Sequence, residues 1–285
     1  MYISSLLINV GDNPDRPRPG RLWLRNLYHV HQRLCMAFPS KERTTDDPPF
    51  LKPYRPQDFP EDRYLADKNK MEVPIETLQQ VHIPRGNDNN FLFRIDPQPG
   101  GSPVILVQSA IKPNWDYAFH NAGYLLRCYD VQPFNPIYQA GEHLRFRLLA
   151  NPTRRLHEKS LERDGKPIKK ESIGKRVPVP AEKLKEWLSE WRPKEVPSAG
   201  FLLDKESTIV QPGYIYFHKP EKHTEGKLGN KLKDGGKRLF SARYEGVLTV
   251  TDTELFQLTL IRGIGPGKAF GFGLLSVAPV GGTNA

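Results

Sequence analysis

Three side chains that can take part in proton transfer or hydrogen bonding lie close together near the N-terminus, in the segment YHVHQRL. The spacing of residues 21–38 predicts a helix with an apolar face, and His31 falls at the edge of that face. Tyr28, three residues earlier, stands beside His31 on the same flank, whereas His29 is predicted to project into solvent. The pair Tyr28 and His31 therefore fits either a site for proton transfer or a buried histidine satisfied by a tyrosine.

A second chemically informative stretch, GIGPGKAFGFG, occupies residues 263–273. Glycine gives the backbone access to positive φ, and successive amides turned inward make a concave anion site. No strand precedes the run and Ala269 follows its lysine, which excludes a dinucleotide fingerprint and a P-loop. Two interpretations remain: a loop that lies against a phosphate backbone, or a tight connection whose glycines allow close packing. The candidate binding residues of this loop are Gly265, Gly267, Lys268 and Gly271.

The charge of the chain favours a polyanionic partner. The 285 residues carry a formal net charge of +10, although a basic protein without such a partner stays a possibility. One basic cluster lies within 154–176, and a glycine-punctuated basic run occupies 217–240. That run is either a solvated hairpin or a finger for a nucleic-acid groove. The candidate side chains in these regions for contact with a nucleic acid are Arg154, Arg155, Lys175, Arg176, Lys227, Lys231, Lys233, Lys237 and Arg238.

Several classes of protein are excluded. Cys35 and Cys128 are too few for a disulfide framework or a four-ligand zinc site, so we expect reduced thiols and a cytoplasmic protein. The N-terminus lacks the basic lead of a signal peptide. No apolar run approaches the roughly 18–20 residues of a membrane span.

The order of predicted elements indicates an α+β fold that repeats. Strands are predicted at 1–10, 91–96, 103–110 and 143–152, with the helix at 21–38 and a weakly helical stretch at 111–141, a ferredoxin-like order. The second half repeats this order, with helices at 180–195 and 252–262. We predict two tandem ferredoxin-like domains, 1–150 and 151–285, the first interrupted by an irregular insertion at 39–85 that holds a possible short helix at 75–82. The Leu and Trp stripe of helix 180–195 is predicted to be core.

Several segments together resemble a known family. They are MYISSLLINV, YHVHQRL, FRLLANPTRR, GKRVPV, EGVLTVTD and GIGPGKAFGFGLLSVAP. In combination they are similar to the CasE (also called Cse) family of CRISPR RNA-processing endoribonucleases, subunits of the type I-E Cascade complex. The resemblance reaches both ends of the chain and leaves 39–85 and parts of 156–240 unmatched.

The resemblance implies a function and assigns residues. It implies two tandem ferredoxin-like domains and metal-independent cleavage at the base of the CRISPR repeat hairpin, leaving a 2′,3′-cyclic phosphate and a 5′-hydroxyl. The family's catalytic histidine falls on His31 and its active-site tyrosine on Tyr28. Some members have a basic residue directly after the histidine. In this chain that position is occupied by Gln32, and the next residue, Arg33, is a candidate RNA contact. The implied partners are the repeat RNA, the mature crRNA and other Cascade subunits, with no cofactor, no metal, no membrane and no independent DNA contact.

Two other functions stay open at the level of sequence. A non-catalytic RNA-binding subunit of the same superfamily would use His31 only as a core residue. A basic scaffold protein would use its charge for protein assembly and show no repeat-specific affinity. A metal nuclease fits poorly, because no carboxylate spacing indicates one.

Overall fold

The computed structural model describes residues 1–10, 19–38, 91–98, 101–119, 125–128, 131–157, 170–192, 196–217 and 237–281. The chain divides into two compact units. Unit 1 comprises Met1–Pro136, Tyr216–Arg238 and Ala269–Gly271. Unit 2 comprises Ile137–Ile215, Leu239–Lys268 and Phe272–Ala285. The predicted insertion at 39–85, with its possible helix at 75–82, lies outside the described residues.

Unit 1 is built on an antiparallel sheet with strand order β2-β3-β1-β4, and a short β5 also pairs with β1. The central strand alternates as a half-buried strand should, and Leu6 and Ile8 are fully buried. This is the order expected of a strand, helix, strand, strand, helix, strand fold. Its elements are β1 Tyr2–Ile8, α1 Pro19–Arg25, α2 Leu27–Cys35, β2 Phe91–Asp96, β3 Val104–Ser109, α3 Trp115–Ala118, β4 Leu125–Cys128 and β5 Gln132–Pro133.

The single helix predicted for 21–38 is two helices, α1 and α2, which are separated at Asn26. Asn26 has extended backbone angles, and its side-chain Oδ1 accepts a hydrogen bond from the Tyr28 backbone N–H at 3.2 Å. Asparagine is a preferred N-cap because this bond satisfies an amide at the helix start. The apolar face predicted for 21–38 nevertheless lies in the core on both sides of this break; its residues are Leu24, Leu27, Val30, Leu34 and Phe38.

Unit 2 repeats the arrangement. Its main sheet has the order β10-β11-β6-β12, so β6, β10, β11 and β12 take the places of β1, β2, β3 and β4, and β9 also pairs with β11. Strands β7 and β8 form a separate two-stranded ribbon. The elements are β6 His143–Ala150, β7 Thr153–Arg155, β8 Arg176–Pro178, α4 Leu184–Ser189, β9 Phe201–Leu203, β10 Ile209–Phe217, β11 Lys237–Val250, α5 Thr253–Arg262 and β12 Leu275–Pro279. The last two residues of β10 and the first two of β11 fall within the Tyr216–Arg238 part of unit 1.

Two tandem ferredoxin-like domains were predicted and are observed, but the predicted boundary at 150 is too late. Strand β6 lies in the middle of the second sheet, paired with β11 on one side and β12 on the other. A central strand belongs to the sheet that buries it, so β6 opens the second domain. The continuous N-terminal part of unit 1 ends at Pro136.

Smaller differences also have local causes. The helix predicted for 180–195 is a 3₁₀ turn at Ala181–Lys183 followed by α4, with Leu184 and Leu188 buried and Trp187 and Trp191 partly buried in the core, as the stripe predicted. Within the described parts of the stretch 111–141, which was predicted to be weakly helical, the elements are the short α3 and then β4 and β5. The β7–β8 ribbon was not predicted, because three-residue strands leave no periodic signal.

Candidate functional site

His31 lies one turn before the end of α2 and packs against two aromatic rings of β2. Its imidazole is nearly parallel to Phe91, with ring centroids 5.4 Å apart and an angle of 24°. Phe93 lies 6.3 Å away at 17°. Phe91 and Phe93 are two residues apart on a strand and therefore present their rings on one face. The segment FLFRID, residues 91–96, shows this alternation in the sequence, but nothing in it predicted that the two rings would lie against His31.

Burial changes the protonation state of His31. It lowers the pKa of the imidazole from 6.5 to about 4, because a charged ring loses hydration against apolar neighbours. At neutral pH the imidazole is therefore uncharged. A neutral imidazole has one nitrogen lone pair and can accept a proton directly.

Tyr28 is the second residue of α2, one turn before His31, and is partly buried. Its backbone amide is held by Asn26, and its ring lies 6.2 Å from the ring of His29 at a tilt of 55°. The i and i+3 positions of Tyr28 and His31 make them neighbours on the surface of one helix, as predicted.

The prediction that His29 projects into solvent is wrong. His29 is 1% exposed, and the Asn26 side-chain Nδ2 lies 3.2 Å from its Nδ1. The predicted apolar side of α2 is buried as expected, but the opposite side is buried as well, and the Asn26 side chain provides a polar neighbour for the buried imidazole.

Arg33, predicted to contact RNA, is 4% exposed. Its guanidinium donates a hydrogen bond to the Ala118 carbonyl at 2.9 Å and another to the Met36 sulfur at 3.7 Å. These contacts join the end of α2 to α3 and leave the side chain no access to an RNA phosphate in this conformation.

Part of the glycine-rich loop belongs to unit 1. Gly271 has φ of 77°, and a Cβ at this position would lie 3.2 Å from Cε2 of Phe93. The preceding Phe270 packs on Phe217 with ring centroids 4.4 Å apart. Gly271 and His31 therefore both pack against Phe93, which connects the loop to the candidate catalytic histidine within one unit.

The part of the loop in unit 2 shows close packing. A Cβ at Gly267, where φ is 82°, would lie 2.9 Å from the Phe272 ring, and one at Gly265 would lie 3.1 Å from the Trp187 ring. Lys268 is exposed overall. Its pKa is lowered mainly because its ammonium is partly buried, and repulsion from the charge of Arg262 lowers it further. Two neighbouring cations at the loop match an anionic ligand, so packing and anion binding are compatible here.

The β7–β8 ribbon collects four of the predicted basic side chains. Arg155 lies directly opposite Arg176 in the antiparallel register, and Arg154 lies opposite Val177. All of these arginines and Lys175 are exposed, and Arg176 Nη1 donates to Thr153 Oγ1 at 3.1 Å. Like charges directly opposite one another destabilise a sheet pair unless an anion lies between them. The ribbon is therefore suited to a polyanion.

The remaining predicted contacts lie in the basic run. Lys227, Lys231 and Lys233 fall outside the described residues; Lys237 begins β11, and Arg238 after it is exposed. Within the described part of the chain, no group of three or more His, Cys, Asp or Glu side chains is arranged to hold a metal ion. The described helices include none long and apolar enough to cross a bilayer.

Comparison with known proteins adds a family to this geometry. Residues 75–279, well over half of the chain, match the family model described as CRISPR associated protein. Over 222 residues the chain is 37% identical to the CRISPR-associated endoribonuclease Cse3 of Thermus thermophilus, covering 76% of this chain and 92% of the relative.

Two further similarities extend over nearly the whole chain. The Cascade subunit CasE of Escherichia coli is 25% identical over 282 residues, covering 98% of this chain and 100% of that protein. A solved structure of the endoribonuclease Cse3 bound to a 19-nucleotide RNA matches with a TM-score of 0.60 and 28% identity, covering 98% of this chain and 100% of the other.

Proposed function

The chain belongs to the CasE/Cse family of CRISPR-associated endoribonucleases, and we propose that it cuts CRISPR repeat RNA at the 3′ base of the repeat hairpin to release mature crRNA. The observation that carries this proposal in the molecule itself is the packing of the His31 imidazole on the Phe91 and Phe93 rings, where burial lowers the pKa of the imidazole.

The proposed reaction needs little from the protein. RNA supplies its own nucleophile, the 2′-hydroxyl beside the scissile phosphate, so neither a protein nucleophile nor a metal ion is required. The 2′-oxygen attacks phosphorus and the bond to the 5′-oxygen breaks, which leaves a 2′,3′-cyclic phosphate and a 5′-hydroxyl. The protein aligns the 2′-oxygen, the phosphorus and the 5′-oxygen, moves protons, and stabilises the negative charge that grows on the phosphate.

We assign His31 as the base that takes the proton of the 2′-hydroxyl. A histidine whose pKa is about 4 is almost entirely neutral at pH 7, which is the form that a base requires. A substrate with sulfur in place of the 5′-oxygen tests the assignment, because its leaving group needs no proton. If His31 is the base, His31→Ala stays defective on this substrate; recovery of the rate would instead make His31 the acid.

Tyr28 is proposed to hydrogen-bond the scissile phosphate or to orient the imidazole. Its position one turn before His31 on α2 supports both roles. Removal of the hydroxyl in Tyr28→Phe, which keeps the ring and its contact with His29, separates these roles from packing.

We propose that the RNA stem is held through its phosphates by the β7–β8 ribbon and the glycine-rich loop. A-form RNA has a deep, narrow major groove, so a stem is recognised mainly by shape and backbone. Arg154, Arg155, Lys175 and Arg176 provide exposed charge on one ribbon, and Lys268 provides charge on the loop.

The relative from Escherichia coli is named a Cascade subunit, and we propose that this chain likewise stays bound to its crRNA product as a subunit of a Cascade complex in the cytoplasm. A role of that kind needs only a slow enzyme that acts once. General acid–base help of roughly 10²–10⁴-fold is sufficient for it.

The experiment is cleavage of the cognate repeat hairpin by purified protein in excess EDTA, with end-group analysis of both products. His31→Ala and an RNA with a single 2′-deoxy sugar at the cut serve as controls. We expect wild type to cut in EDTA and leave the cyclic phosphate, while the variant and the deoxy RNA are bound but not cut.

Two outcomes would contradict the proposal. Dependence on added metal would exclude the mechanism. Tight binding by wild type without any cleavage would favour the alternative function, a non-catalytic RNA-binding subunit in which the partly buried His31 is a core residue.

A further inference from the structure

A thiol lies at the edge of the His31 imidazole. Cys35, the last residue of α2, follows His31 by four positions and therefore shares its helix face. Its sulfur lies 3.5 Å from Nε2 and 4.0 Å from Nδ1, within reach of a weak hydrogen bond. Both side chains are partly buried.

The aromatic contacts of His31 cannot by themselves fix the ring. Phe91 and Phe93 lie nearly parallel to the imidazole and so determine its plane. Rotation by 180° about the Cβ–Cγ bond keeps that plane, yet it exchanges the positions of nitrogen and carbon atoms around the ring. Only a polar contact at the ring edge distinguishes the two orientations, and it also decides which nitrogen carries the proton.

We propose that Cys35 is a positioning residue for His31: the Nε2–H donates to the Cys35 sulfur, which fixes the orientation and leaves the lone pair on Nδ1 for the substrate proton. This inference rests on the proposed function, in which His31 acts on RNA. When Nδ1 takes the proton, Nε2 keeps its hydrogen, so the contact persists as the ring becomes charged. Cys35 itself touches no reacting atom.

The expected effect is moderate. Without the sulfur, the imidazole is shared between two orientations and two tautomers, and only part of the population is competent. We expect Cys35→Ala to lower the single-turnover cleavage rate by about three- to tenfold and leave RNA affinity unchanged. Cys35→Ser keeps an acceptor oxygen and should recover most of the rate. Cys128→Ala is the matched control, because it removes the other cysteine of the chain, on β4, and this variant should cleave like wild type.

A measurement independent of cleavage separates this inference from the proposed function. In protein with ¹⁵N-labelled histidine, the two ring nitrogens of His31, assigned by comparison with His31→Gln, report the tautomer at neutral pH. We expect Nε2 protonated and Nδ1 unprotonated in wild type, Cys35→Ser and Cys128→Ala, and averaged shifts in Cys35→Ala. If wild type does not cut RNA at all, the proposed function fails, and the nitrogen shifts still decide the contact.

A reagent on the folded protein covers the case in which Cys35→Ala does not fold. In Cys128→Ala protein, the Cys35 thiolate displaces methanesulfinate from methyl methanethiosulfonate and forms an S–S–CH₃ group. We expect cleavage to fall at least tenfold and to return when dithiothreitol reduces the new disulfide. Unchanged cleavage after complete modification, or a Cys35→Ala protein with wild-type rate and nitrogen shifts, would overturn the proposal.

Discussion

Unit 1 and unit 2 share a strand order and differ in what their corresponding elements carry. The helices between the first two strands of unit 1 present His31 and Tyr28 at the edge of an aromatic core. The helix in the equivalent place in unit 2 puts Leu184 and Leu188 into the core and carries no histidine. Unit 2 instead has the arginine-rich β7–β8 ribbon between its first strand and that helix.

This difference indicates a division of work between two copies of one fold. An imidazole with a pKa of about 4 needs an apolar surrounding. Exposed arginines that hold a phosphate backbone need solvent and no nearby carboxylates. One small domain does not readily provide both environments in one place, so we expect chemistry in unit 1 and charge-based holding in unit 2.

The largest expected effect comes from removing the imidazole. His31→Ala should lower the single-turnover cleavage rate by roughly 10²–10⁴-fold, because general acid–base help is removed. Rates with excess enzyme at saturating RNA measure this directly. His29→Ala is not a suitable control, since His29 is buried and its replacement would disturb the start of α2; His143→Ala, at an exposed histidine in unit 2, is matched in type. If the His31→Ala protein keeps the wild-type rate, the assignment of catalysis to His31 and to unit 1 is wrong.

Acid should destabilise the protein through the same imidazole. Because the folded pKa of His31 is about 4 and the unfolded value is 6.5, the unfolded chain binds more protons between these values. Stability from this group is complete above about pH 6.5 and is lost as the pH falls towards about 4. Urea unfolding at about pH 7.5 and pH 5 should show that wild type loses about 2 kcal/mol more than His31→Gln. Equal losses would mean that His31 titrates normally.

The ribbon should control affinity. Arg155→Ala combined with Arg176→Ala should weaken binding of the repeat hairpin by roughly 10–50-fold at moderate salt. It should also flatten the dependence of log Kd on log salt, by about 0.7–0.9 for each phosphate that the variant no longer neutralises. Arg192→Ala, at an exposed position in the same unit, is the control. An unchanged salt slope would show that the two arginines repel each other without holding RNA.

The smallest expected effect concerns the loop. Lys268→Ala should reduce affinity or cleavage by about two- to fivefold, because one partly screened phosphate interaction is removed. Arg262→Ala, at the neighbouring cation, should raise the pKa of Lys268 towards its usual value. If Lys268→Ala changes neither binding nor cleavage, the loop does not hold RNA and its glycines serve only close packing.

Much of this division could be predicted from the sequence, and the failures have physical causes. Strand patterns at 1–10, 91–96, 103–110 and 143–152 predicted β1, β2, β3 and β6, and the repeated order predicted the fold, whereas β4 and β5 lie in a stretch that was predicted to be weakly helical. The predicted apolar face of α2 is buried, but a helical wheel cannot show that the opposite side of the helix is covered as well, so His29 was misplaced. The domain boundary failed because strand pairing between β6 and β11 joins residues about a hundred positions apart, which no local pattern records.

Within the candidate site, residue types were predictable and their surroundings were not. His31 and Tyr28 followed from helix spacing and family resemblance. The burial of Arg33 depends on the Ala118 carbonyl, which comes from a distant segment. Cys35 could have been found from its i+4 spacing to His31, and the two phenylalanines of β2 from their alternation, but their contact with the imidazole needs the packing of α2 on β2.

The most direct test of the division is one pair of titrations. Cleavage rate is measured against RNA concentration, and Kd is measured on the 2′-deoxy RNA, for His31→Ala and for the double variant Arg155→Ala with Arg176→Ala. We expect wild-type Kd with almost no cleavage for the first, and weakened Kd with the wild-type plateau rate for the second. If the histidine variant also loses affinity, or the ribbon variant's plateau falls with its affinity, chemistry and holding are not divided between the two units.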